Sequence, residues 1–278
     1  MSVCEKELNL EVNRRKLLAG VGAAGLLSVA NLLVGCGGGS ASASGNMDST
    51  ILNAAATAEA LATVMYDNLT KSALFTQGLS GNVNDQAYLV AGREQESLHY
   101  QTLTGAGAVP LTTTFYFPSG MFTTTHAQQS VQTALNTLVT LEDAFIAAYL
   151  IGIRDLSTTG LKVLAAQILG VEAEHRAFGR VIAADLNLTS VTGLSGTAEG
   201  VQGSAGHAAN NIAYERTFST TGPAFQNIND VVKALGPFVT APAAGTAGAF
   251  DPTSYAYNTT ANFYLTETPT IALDSTTP

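Results

Sequence analysis

Four segments of the chain repeat apolar residues at alternating steps of three and four, and each interrupts the repeat near its middle with a glutamate. In residues 48–74 the seam runs Leu52, Ala55, Glu59, Ala62, Tyr66, and in 84–104 it runs Leu89, Gly92, Glu96, His99, Leu103. In 124–155 it runs Leu135, Leu138, Glu142, Phe145, Tyr149, and in 158–185 Leu161, Ala165, Ile168, Glu172, His175, Gly179, Ile182. Steps of three and four follow the 3.6-residue turn, so each set lies on one helical face turned toward a shared partner surface.

Start and stop signals bound these helices. Asp48-Ser49-Thr50, Asn82-Val83-Asn84-Asp85 and Ser157-Thr158-Thr159 offer side chains that cap helix starts, Gly78 to Gly81 separates the first two helices, and Gly105 with Pro110 closes the second. The first and second helices, and the third and fourth, need only short turns between them. The second and third are joined by roughly twenty residues, Gly105 to Thr124, including "PLTTTFYFPSG". Short, long, short predicts an all-α four-helix bundle with one long crossover between helices 2 and 3. After Asp185 the chain turns to Gly, Ser, Thr, Asn and Pro. One short helix is expected at "NINDVVKALGPF", with Asn229 as cap, Val231, Val232 and Leu235 as its apolar face and Gly236-Pro237 as its stop. "SYAYNTTANFYLTETPTIAL" alternates enough for short strands. This irregular tail is too poor in apolar residues for a second core and reads as a wrap on the bundle or a partner-facing appendage.

The glutamates contradict the seams that carry them. A lone ionised carboxylate in a helix core costs several kcal/mol or stays protonated, so a set of them needs positive charge nearby. No Lys or Arg occupies a seam position, and a metal supplies the missing charge most simply. Glu96-Ser97-Leu98-His99 and Glu172-Ala173-Glu174-His175 are both E-x-x-H, which projects a carboxylate and an imidazole from one helix face. Glu59 and Glu142 add single carboxylates from the other two helices. Glu59, Glu96, His99, Glu142, Glu172 and His175 thus form the ligand set of a two-metal carboxylate site. Oxygen and imidazole donors without sulfur suit two iron ions, or manganese, better than copper(I) or a structural zinc. These motifs use two of the four histidines in the chain.

Tyr66 follows Glu59 by seven residues and Tyr149 follows Glu142 by seven, so the two helical pairs read as two copies of one half. Both tyrosines are candidates to hydrogen-bond carboxylates around the ligands and fix their orientation, and Asp143 is a candidate acceptor for the ring N–H of a ligating histidine. No catalytic residue beyond the metal site is indicated. Glu94 and Glu174 are expected on solvated helix flanks, His126 and His207 at the surface, and Arg154, Arg176 and Arg180 in surface or inter-helix ion pairs.

The N-terminus reads as an address. Asn13-Arg14-Arg15-Lys16, the apolar run Leu17 to Val34 and Gly35-Cys36 resemble a bacterial twin-arginine export signal, and Leu33-Val34-Gly35-Cys36 resembles a lipobox in which Cys36 is acylated. An uncleaved membrane anchor is the alternative. Either reading places the remainder outside the cytoplasmic membrane, and the first makes it a periplasmic or cell-envelope lipoprotein held through a lipid at Cys36. The expected organisation is a signal over 1–36, a Gly/Ser/Ala linker over 37–47, the bundle over 48–185 and a C-terminal extension over 186–278. The second cysteine, Cys4, lies in the leader, so the mature chain has no thiolate metal site. Without residues 1–35 the chain keeps 8 basic residues (12 less 4) and 18 acidic ones (21 less 3), a formal charge of −10. Such a surface repels nucleic acid and anionic lipid.

"AYLVAGREQESLHY", "TLEDAFIAAYLIG" and "QILGVEAEHRAFGR", with "ATAEALATVMY" as a weaker first motif, resemble the bacterial ferritin-like domain family, the branch similar to desiccation-related proteins and more distantly to rubrerythrin, bacterioferritin and manganese catalase. The resemblance covers roughly residues 48 to 185, and "ANNIAYERTF" with "VVKALGPF" resembles a short C-terminal region of the same branch. It implies a ferritin-like bundle with all six ligand positions filled. It also implies metal ions and small oxidants as partners, and it allows a homodimer. Two functions follow as expectations. One is redox chemistry with O2 or peroxide, such as iron oxidation or oxidative-stress protection. The other is a non-catalytic stress-protection or envelope-binding module in which the metal is structural.

Overall fold

The computed structural model describes residues 43–125, 127–188, 225–243 and 250–258. The expected signal, Cys36, His126, His207 and most of "SYAYNTTANFYLTETPTIAL" lie outside the described residues. The described residues contain four long helices, α1 (Ala43–Leu69), α2 (Val83–Gly105), α3 (Gln128–Asp155) and α4 (Thr159–Asp185). A single π-turn, Leu74–Gly78, follows α1. A fifth helix, α5 (Ile228–Val239), and two short strands, β1 (Thr114–Phe115) and β2 (Tyr255–Ala256), are the other elements among the described residues. The fold is an all-α, ferritin-like four-helix bundle, as the seams and connection lengths predict.

Capping explains most boundaries and one shift. Asn82 and Thr158 cap α2 and α4, their side chains accepting from Asp85 N and Leu161 N. Asp48 does not cap α1, which runs through it. Its carboxylate instead accepts from the backbone N–H of Ser157 at 2.8 Å and from the Ser157 hydroxyl, tying α1 to the α3–α4 turn. The cap of α5 is Asn227 rather than Asn229, because Asn227 and Asp230 close a reciprocal capping box. Pro237 is no stop either. It sits inside α5, where its missing N–H removes one bond near the end while the helix continues to Val239.

The helices divide into two kinds. α2 and α4 bury one stripe each, but α1 and α3 are buried almost all round in their central turns. By length and composition alone α3 is apolar enough to cross a membrane, yet nearly all of that stretch is covered by the bundle. What covers the outer faces of α1 and α3 is the crossover and the tail. Along the crossover, Val109 N donates to Asn53 Oδ1 at 2.7 Å and Leu111 N to Thr57 Oγ1 at 2.9 Å, pinning the strap to α1. Phe115, Phe117 and Met121 then turn into the core. α5 lays Ile228, Val231, Val232, Leu235 and Phe238 onto α1 and α3. β2 pairs antiparallel with β1, Thr114 opposite Ala256 and Phe115 opposite Tyr255. Tyr116 N donates to Phe238 O at 2.8 Å, joining strap to α5. An edge-to-face cluster of Phe117, Phe122, Phe238, Phe250 and Tyr255 fills the seam between strap and tail. The described parts of the tail therefore finish the same core rather than hang from it.

Candidate metal centre

α1 places Glu59 and Tyr66 two turns apart on its inner face, and α3 does the same with Glu142 and Tyr149. The tyrosines pair across the bundle: Tyr66 donates to Glu142 Oε1 at 2.8 Å, and Tyr149 donates to Glu59 Oε1. This reversed order shows that α1 and α3 run antiparallel. Tyr88 of α2 stacks on Phe178 of α4 beyond the E-x-x-H motifs, and the order reverses there too. An up-down-up-down bundle would set these pairs parallel, so the long crossover is what makes the arrangement possible.

The structure brings all six expected ligand residues into one buried cluster. Glu59, Glu96, Glu142 and Glu172 are at most 1% exposed, and His99 and His175 are buried. The donors sort into two overlapping groups, Glu59/Glu96/His99/Glu172 and Glu96/Glu142/Glu172/His175, with the ligand atoms of each within 4.8 Å of one another. Nδ1 of His99 lies 3.3 Å from Glu59 Oε2, 3.5 Å from Glu96 Oε2 and 3.1 Å from Glu172 Oε1. Nδ1 of His175 lies 2.9 Å from Glu96 Oε1 and 3.5 Å from Glu172 Oε2. Glu96 and Glu172 thus turn one oxygen to each group, which is the disposition of bridging carboxylates.

A test of fit comes from unsatisfied atoms. Glu59 Oε2, both oxygens of Glu96, His99 Nδ1, Glu142 Oε2, both oxygens of Glu172 and His175 Nδ1 are buried without a hydrogen-bond partner. Buried polar atoms are nearly always satisfied, and eight orphans converging on one spot call for a ligand. Donors about 2.0–2.2 Å from a common ion at right angles would stand about 3 Å apart, close to the separations here. The residues present fit two cations.

Electrostatics says the same. Burial, reinforced by the charges of Glu172 and Glu96, pushes the Glu59 carboxyl well above its usual range. Burial does so for Glu142, with Glu96 and Glu172 adding to it. Burial also acts to raise Glu96, but the close approach of the Glu59 carboxyl and the His175 charge overcome it and hold Glu96 low. Burial acts to lower both histidines, yet the carboxylates around them hold both well above the usual imidazole range. In the metal-free protein, protons occupy the place of cations.

Two expectations about neighbours change. Tyr66 and Tyr149 bond the candidate ligands themselves rather than carboxylates behind them. Asp143 does not accept from a histidine. It takes Arg176 Nη1 at 2.9 Å in a buried pair joining α3 to α4, because its position next to Glu142 turns it away from the rings. Arg176 thus sits in an inter-helix ion pair, as expected, and it and Arg180 are buried, whereas Arg154 keeps to the outside beside Asp155. Glu174 is exposed, and Glu94 lies at the surface near Arg93. Gln95 is a residue that sequence reasoning missed: its Oε1 lies 2.8 Å from His175 Nε2. Only its place next to Glu96 could have pointed to it.

Residues 47–184 match a family described as the ferritin-like domain, a span that takes in all four long helices and all six candidate ligands. That segment is a ferritin-like domain, and its buried Glu/His cluster is compatible with metal binding. No curated protein and no solved structure matches the chain.

Proposed function

We propose that the chain is an exported ferritin-like protein whose cluster binds two iron or manganese ions for redox chemistry with O2 or peroxide. The observation that carries this reading is the pair of four-donor groups sharing Glu96 and Glu172, eight of whose side-chain N and O atoms are buried without a hydrogen-bond partner. Two redox-active ions held by these residues would supply paired one-electron steps, suited to a two-electron oxidant. The chain's own residues do the rest. Tyr66 and Tyr149 hold one oxygen of Glu142 and of Glu59, leaving the other oxygen of each free to ligate. Burial raises both phenols well above their ordinary range, so they remain donors. The closed apolar core around the cluster keeps bulk water from it. The twin-arginine motif and Cys36 support export and lipid anchoring.

Metal content of protein purified after export, read with Fe(II) oxidation and peroxide consumption, tests the proposal. Iron or manganese near two per chain and turnover abolished by Glu96→Ala or Glu172→Ala are expected. Absence of bound transition metal would overturn it. A second reading, a stress-protection or envelope module with structural metal, draws support from the complete burial of Glu96 and Glu172, both 0% exposed. It is favoured if chelation unfolds the bundle while the loaded protein turns over neither Fe(II) nor peroxide.

A further inference from the structure

The two halves match in their carboxylates but not in what stands behind their imidazoles. Both histidines turn Nδ1 toward the glutamates. A neutral imidazole that presents its Nδ1 lone pair inward must carry its proton on Nε2. On the His175 side, that Nε2 meets Gln95 Oε1 at 2.8 Å, a carboxamide oxygen that can only accept. Gln95 is half-buried on α2, one residue before Glu96, so the contact spans α2 and α4. The equivalent position in the other half, one residue before Glu172, is Val171, which has no polar side-chain atom. Among the described residues none hydrogen-bonds the His99 ring. The side chain of His99 is also the more open, 11% exposed against 4% for His175.

We propose that Gln95 is a positioning residue that fixes the Nε2–H form and ring plane of His175, and that it makes the two cation positions inequivalent. The Glu96/Glu142/Glu172/His175 position holds its ion tightly. The Glu59/Glu96/His99/Glu172 position, with an unanchored and more accessible imidazole, is the exchangeable one. This rests on the metal-binding reading above. Its physical basis is that a ligating histidine gains basicity and loses rotational freedom when its other nitrogen donates to a fixed acceptor, an effect worth about 10–100-fold in affinity.

The test is titration of metal-free protein with Co(II), followed by calorimetry and ligand-field absorption. Wild type is expected to bind in two resolved steps. Gln95→Leu should weaken the tighter step by about 10–100-fold and leave the weaker one in place, and Gln95→Glu, which keeps an acceptor, should restore it. In the Co(II)-loaded protein the paramagnetically shifted ring N–H of His175 should exchange slowly with solvent, and fast in Gln95→Leu. Equal steps in wild type, an unchanged tight step in Gln95→Leu, or no rescue by Gln95→Glu would overturn the proposal. Should Gln95→Leu fail to fold, His99→Ala and His175→Ala decide: the tight step must survive the first and vanish in the second, and the reverse refutes the assignment. A wild type that takes up no Co(II) sinks the metal reading itself, whereas two-site uptake insensitive to Gln95 sinks only the inequivalence.

Discussion

Gly92 stands one turn before Glu96, and a β-carbon built there would lie 2.8 Å from Cε1, 3.1 Å from Cζ and 3.2 Å from Cδ1 of Tyr66. That ring has little room to retreat: it is 2% exposed, packs 5.7 Å from the His175 ring and is held by its hydroxyl on Glu142. Gly92→Ala therefore sets two effects against each other. Alanine is favoured over glycine inside a helix by about 1 kcal/mol, through the lower entropy of the unfolded chain. Overpacking a rigid buried neighbour costs about 1–3 kcal/mol, so the net effect runs from about zero to a loss of about 2 kcal/mol. Gly170, exposed on α4, supplies the control, because a β-carbon there meets nothing within 4 Å. Gly170→Ala should gain about 1 kcal/mol from propensity alone. The two variants should thus differ by about 1–3 kcal/mol, at about 2–4 °C of Tm for each kcal/mol in a domain of this size. Denaturant unfolding and calorimetry on metal-free protein measure the gap without linkage to bound ions. If Gly92→Ala stabilises as much as Gly170→Ala, Tyr66 is not packed where the structure has it.

Other expectations follow from the same geometry. Asp143→Ala removes one buried partner of the Arg176 guanidinium and should cost about 1–3 kcal/mol by denaturant unfolding, whereas an effect below about 1 kcal/mol would mean the pair is solvated. Tyr66→Phe removes the donor to Glu142 Oε1 and should destabilise the metal-free protein by about 1–3 kcal/mol, with a matching loss for Tyr149→Phe; unequal losses would mean that the two tyrosine–glutamate pairs are not equivalent. Glu59, Glu142, His99 and His175 all titrate above their ordinary 4.5 and 6.5. Folding favours their protonated forms, a contribution present in full below the unfolded values and lost as pH climbs toward the folded ones. Glu96 acts oppositely but alone, losing its contribution as pH falls. Melting of metal-free protein from about pH 5 to about pH 9 should therefore show a falling Tm, and metal loading should remove the fall; a flat metal-free profile counts against a proton-filled cluster.

How much of this was legible in the sequence depends on whether a feature lives on one helix or between helices. The seams, the two E-x-x-H pairs and the single glutamates follow from helical period alone, and the structure gathers all six residues. Boundaries at Asn82 and Thr158 were equally local. The role of Asp48 is not local, because its hydrogen-bond partner, Ser157, is 109 residues away. Asn229 loses the cap to Asn227 because Asn227 and Asp230 hold the same helix start with two reciprocal bonds. Asp143 and Gln95 each answer to a side chain on another helix, Arg176 and His175. Neither partner can be chosen from spacing along the chain. The tail's packing was open for a similar reason: its apolar residues are too few for a core of their own but enough to cover α1 and α3.

The same distinction shows why the two helical pairs cannot act as separate modules. α1 and α2 carry Glu59, Glu96 and His99, three donors of the first group, and take the fourth, Glu172, from α4. α3 and α4 carry Glu142, Glu172 and His175, and take Glu96 from α2. The tyrosines are exchanged as well, since Glu59 depends on Tyr149 and Glu142 on Tyr66. Each pair alone would leave three charged or polar donors facing an apolar gap, one short of a group, and a carboxylate oxygen without its phenol. Burying so incomplete a set costs several kcal/mol per ionised group. The crossover therefore does more than connect: by setting α3 antiparallel to α1 it brings each tyrosine level with the other half's glutamate. Its two backbone bonds to Asn53 and Thr57 hold it along the helix that carries Glu59.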